Sequence, residues 1–65
     1  MARMFNVYGV RDGVETFVET VSNANEGRAA HQRMKLAGVY EYIRCRDVLG
    51  GLRFEYNLET GQKTA

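Results

Sequence analysis

The sequence predicts an α+β domain of order ββαββ, a four-stranded antiparallel sheet with one helix packed on one face. Three features carry that expectation: two β-rich runs flank an Asp12-Gly13 pair, a polar-capped alanine-rich segment stops at Gly38, and two further alternating runs meet near Gly50-Gly51. Asp-Gly between strands favours a type I′ turn, which needs positive φ at both central residues and folds the flanking strands back on each other.

Residues 4–11 (MFNVYGVR) and 14–21 (VETFVETV) are rich in β-branched and aromatic side chains and form the expected first hairpin. A two-residue loop sets Val7 opposite Val18 and Phe5 opposite Thr20 on one face, with Tyr8 opposite Phe17 on the other. Asn23 is placed to cap a helix, Glu26 stands at the third position as in a capping box, and Gly38 supplies a left-handed stop, so the helix is expected over Ala24–Ala37. On a helical wheel Ala30, Met34 and Ala37, with Gly27 beside them, form an inner face expected against Val7, Val18, Ile43 and Phe54. Arg28, His31, Gln32 and Lys35 lie on the outer flank.

After the helix, Tyr40, Tyr42, Arg44 and Arg46 alternate with Val39, Glu41, Ile43 and Cys45, and Leu52, Phe54 and Tyr56 share a face in the last strand. Ile43, Cys45, Leu52, Phe54 and Tyr56 are assigned to the helix-covered side. The opposite, open face would then present Tyr8, Phe17, Tyr40, Tyr42, Arg44, Arg46, Arg53 and Glu55. Residues 58–65 read as a polar tail, a turn or a frayed end.

Sixty-five residues form one domain, 1–65, with a thin core, since about 60% of the unfolded chain's surface is removed from water at this size. Cys45, the one cysteine, cannot form an internal disulfide, and Cys45 with His31 falls short of the four ligands of a closed zinc site. A lone thiol, the lack of any apolar run of about 20 residues and the strand-like start give the expectation of a cytoplasmic protein without a membrane segment or leader. The net charge is +1, so any electrostatic function must rest on local distribution. Asp12, Glu15 and Glu19 sit in the first hairpin, whereas Arg28, Arg33, Lys35, Arg44, Arg46 and Arg53 follow later.

No catalytic constellation is legible, so no enzyme and no cofactor are expected. His31 and Cys45 fall on different surfaces, Glu15 and Glu19 lie on an exposed strand, and Gly50-Gly51 lacks the spacing and lysine of a phosphate loop. Two surfaces remain as binding candidates. Arg28, His31, Gln32 and Lys35 suit an acidic or phosphate-lined partner. The open sheet face, with aromatics interleaved with arginines, would suit a single-stranded nucleic acid, a second copy of the chain in a homodimer, or simple cross-strand packing.

The strand ending FVETVS, the helix entered through NANEGRAAHQR and the closing stretch YIRCRDVLGGLRFEYNLETGQK resemble a group of small phage-encoded anti-CRISPR proteins. The likeness spans about residues 15–63 and is nearest to an inhibitor of type I-F systems. The resemblance implies an inhibitor encoded by a phage or mobile element. Its partner would be a host protein complex, a CRISPR-Cas effector, bound on its backbone subunits so that target DNA is kept from the guide. It also implies that Arg28 and Lys35 take the place of the cationic surface of those inhibitors.

Overall fold

The first hairpin closes as the Asp-Gly pair requires. In the computed structural model, which describes residues 4–65, β1 (Phe5–Arg11) runs into β2 (Val14–Val21) through Asp12 at φ 53° and Gly13 at φ 77°. Positive φ at both central positions matches the right-handed twist of the two strands. Helix α1 (Ala24–Ala37) follows, then β3 (Tyr42–Asp47) and β4 (Leu52–Asn57), giving the order ββαββ. All pairings are antiparallel and the sheet order is β2-β1-β3-β4. The absence of a leader was expected partly from residues 1–3, which lie outside the described residues. No described helix is long and apolar enough to cross a membrane.

The helix ends follow the local chemistry. Asn23 Oδ1 accepts from the Glu26 backbone N–H at 3.0 Å, and the Glu26 carboxylate accepts from the Ser22 N–H and hydroxyl, each at 2.8 Å. The Asn23 bond satisfies a donor that a helix N-terminus leaves free, and the backbone and then the hydroxyl bond from Ser22 hold the Glu26 carboxyl below its ordinary pKa. At the other end Gly38 adopts φ 67° and donates its N–H to the Met34 carbonyl.

Val7, Val21, Ala30, Met34, Ile43 and Leu58 form the core between helix and sheet, with Phe5, Val18, Tyr40 and Tyr56 packed around it. The small Ala30, fully buried, lets the helix approach closely. Ala37, expected on the inner face, is exposed and only borders the core.

Two β-bulges revise the expected register. One falls between Val7 and Tyr8, so that Val7 faces Glu19 and Phe5 faces Val21, while Tyr8 faces Phe17 as expected. Thr20 instead lies opposite Asn6 and donates its hydroxyl to the Asn6 side chain. The second falls between Cys45 and Arg46: Phe54 pairs with Cys45, Leu52 pairs with Arg46, and Arg53 is the extra residue. One inserted residue inverts the alternation beyond it. Leu52 therefore joins Arg46 on the open side and stays 43% exposed, and Arg53 turns to the helix side with Phe54.

Tyr40 is also corrected. It precedes β3 and does not alternate with it; its ring lies on the helix side against Gly9, where a β-carbon would stand 2.4 Å from Tyr40 Cγ. Glycine in β1 is thus a space for that ring. Nor is the tail frayed. Leu58 is buried, the Asn57 side chain accepts from the N–H groups of Glu59 and Thr60, and the chain returns along β4 through a Tyr56–Lys63 bridge. Backbone bonds from Thr64 N to Glu55 O at 2.8 Å and from Asn57 N to Gln62 O at 2.9 Å fix this last segment.

Candidate binding groove

The position of α1 on the sheet creates the groove. Its backbone approaches β1, β2 and β3 but not β4. On the flank over β2 an ion pair between Arg33 and Glu19 joins helix and sheet, beside smaller concavities of about 270 and 260 Å³. Over β4 a gap of about 560 Å³ is left, lined by Arg28, Ala29, His31 and Gln32 from the helix, Arg53, Phe54 and Tyr56 from β4, and Lys63 from the returning tail. Three of the four helix residues expected to form a binding stripe meet there. Lys35 is exposed in the last helical turn and is not part of the lining.

Each wall has a local cause. Arg28, His31 and Gln32 are brought to one flank by spacings of three and four. Arg53 reaches the groove through the β4 bulge, and Lys63 through the strand-like return of the tail. Neither was assigned to this surface by sequence, because a bulge carries no residue signature and the tail's pairing is long-range. Phe54 and Tyr56 form the floor, their rings edge to face at 5.4 Å, and His31 lies tilted on Tyr56 at 5.0 Å. Burial against Tyr56, with Lys35 nearby adding repulsion, pushes the His31 pKa down, so the ring is neutral in the free protein at pH 7.

The charge in this groove is unbalanced. Among the described residues no carboxylate lines it, and Arg28, Arg53 and Lys63 make no ion pair. Three cations lining one groove add their potentials and attract anions more strongly than three scattered over a flat surface.

The open sheet face has the opposite character. Arg44 reaches Glu55 and, at 3.3 Å, Glu15; Arg46 reaches the same Glu15 oxygen at 3.0 Å and donates to the Gly50 carbonyl. Glu55 also accepts from the Thr64 hydroxyl at 2.7 Å, and this bond, followed by that from Arg44, holds its carboxyl below the ordinary range. Two arginines and two glutamates thus neutralise each other. Tyr8 and Phe17 pack edge to face at 5.8 Å beside them, with Phe17 55% exposed. Of the eight residues expected on this face, Tyr40 and Arg53 lie on the other side of the sheet, and Arg44 and Arg46 are already paired.

Cys45 is 2% exposed on the helix side of β3, and burial pushes its thiol pKa up despite the nearby Arg53. A neutral buried thiol is a poor nucleophile. Among the described residues no group of three or more His, Cys, Asp or Glu is arranged to hold a metal ion.

Fold and groove together define a small α+β domain with a cationic cleft lined by aromatic rings. Comparison with protein-family models, with curated proteins and with solved structures returns no match.

Proposed function

We propose that this chain is a non-catalytic binding protein whose α1–β4 groove docks an anionic site of a host nucleic-acid-handling complex. The observation that carries this reading is the set of three unpaired cations, Arg28, Arg53 and Lys63, in a groove without a carboxylate. Three exposed cations gathered on one groove, with no carboxylate among the described lining, attract an anion with which they can form charge-assisted hydrogen bonds, which makes the groove a site for a charged partner. The narrower reading, an anti-CRISPR-like inhibitor that covers the approach of target DNA, rests on the likeness of residues 15–63 to those inhibitors. The same groove would supply its cationic surface, with Arg53 and Lys63 joining Arg28 in place of Lys35.

Copurification tests the reading. The tagged protein is passed through host lysate, untreated and nuclease-treated, beside an Arg28→Glu/Arg53→Glu variant, in which the groove changes by four charge units. Both residues are exposed, so the fold survives, as circular dichroism will verify. The wild type retains a host complex and the variant loses it, with affinity reduced more than about tenfold, the equivalent of about 1.4 kcal/mol. Equal recovery by both proteins would remove the groove from the mechanism.

A further inference from the structure

We infer that the anion taken by the α1–β4 groove is a phosphodiester strand, single-stranded nucleic acid, held by phosphate contacts to Arg28, Arg53 and Lys63 and by base stacking on the aromatic floor. This deepens the binding reading above and rests on it. An acidic protein surface would satisfy the cations but would not engage the solvent-facing parts of Phe54, Tyr56 and His31. Bases and phosphates use both, because every base offers a flat π surface and each linkage one negative charge.

The geometry fits that ligand in three respects. The rings of Phe54 and Tyr56 are half-buried and line the same groove as the cations Arg28, Arg53 and Lys63. The volume of about 560 Å³ lies in the range of sites for small organic ligands, enough for a nucleotide unit with its neighbours outside. Gln32 adds an amide, donor and acceptor together, that can meet a base edge. On the open sheet face, the other aromatic surface, the described arginines Arg44 and Arg46 are already held by Glu15 and Glu55. A duplex would not serve, because its bases are stacked on one another and unavailable to Tyr56.

Fluorescence anisotropy with the purified full chain tests the inference, using labelled oligo(dT) and oligo(rU) of eight nucleotides, an abasic eight-mer of equal charge, and a duplex of equal length. Three phosphate contacts on a single strand give a slope of log K against log salt of about −2, so affinity falls about 20-fold between 50 and 200 mM salt. The abasic strand binds at least about fivefold more weakly than oligo(dT), as loss of stacking requires. Arg28→Glu/Arg53→Glu abolishes binding, and the milder Lys63→Ala weakens it and lowers the slope by about 0.7.

No binding of either oligonucleotide at 20 mM salt would overturn the inference, as would equal binding of the abasic strand or the duplex, or unchanged binding by the double variant. Should the oligonucleotides fail while the nuclease-treated pulldown still depends on Arg28 and Arg53, the ligand is an acidic protein and only the nucleic-acid assignment falls. Failure of both removes the groove reading itself.

Discussion

Replacing Gly9 by alanine is a small change with a large expected effect. The new β-carbon would stand 2.4 Å from Tyr40 Cγ and 2.5 and 2.6 Å from the two Cδ atoms, where carbon atoms normally keep about 3.5–4.0 Å apart. The ring must retreat by about 1 Å or more, and its near end, tied to the backbone through Cβ alone, has little freedom to do so. Such overpacking costs about 1–3 kcal/mol, offset by about 0.5–1 kcal/mol because alanine restricts the unfolded chain and favours a strand more than glycine does. A net loss of up to about 2.5 kcal/mol lowers Tm by as much as about 10–20 °C in a domain of this size. Thermal and urea unfolding followed by circular dichroism measure it, with a lower midpoint and an unchanged m-value expected. In a Tyr40→Ala background the same Gly9→Ala change should be neutral or stabilising, giving a coupling of about 1 kcal/mol or more. A Gly9→Ala protein as stable as wild type, with no coupling to Tyr40, would refute the placement of that ring on the helix side.

Asn23→Ala removes the cap of α1 and should cost about 1 kcal/mol, read as a lower urea midpoint. Glu26 has a depressed folded pKa, so its contribution is present above the ordinary 4.5 and is lost as pH falls through the folded value; Glu26→Gln should therefore lose less stability than wild type on acidification below 4.5. Cys45 should react with a thiol reagent under native conditions far more slowly than in urea, and fast native labelling would contradict its burial. His31, with a depressed pKa, binds a proton less readily folded than unfolded, so the free protein becomes less stable as pH falls below 6.5. An anion in the groove reverses that preference beside Arg28, Arg53, Lys63 and Lys35, so anion affinity should rise over the same descent, and His31→Gln should flatten the profile.

Local chemistry made much of the fold legible. Asp12-Gly13, the Asn23–Glu26 pair and Gly38 each fix a backbone conformation within a few residues, and the order ββαββ follows from them. The bulges escaped, because an extra residue at Val18 or Arg53 leaves hydrophobic alternation almost unchanged while moving side chains to the other face. The β4 bulge exchanged Leu52 and Arg53 and hid Arg53's place in the groove, while the long-range return of the tail hid that of Lys63. Gly9 was a readable signal for Tyr40, since glycine within a strand marks the close approach of another group. Arg28, His31 and Gln32 came directly from helical spacing. The neutralisation of Arg44 and Arg46 depended on registers that bring Glu15, 29 and 31 positions away in the chain, onto the same face.

Backbone amide shifts, followed by two-dimensional NMR while a binding partner recovered by copurification or an oligonucleotide is titrated into ¹⁵N-labelled protein, test the central claim most directly. The account predicts perturbations concentrated at Arg28, Gln32, Arg53, Phe54 and Lys63, fading with added salt, with Tyr8, Phe17 and Tyr42 undisturbed. Perturbations centred on Tyr8, Phe17, Tyr42 and Arg44, with the groove silent, would contradict it.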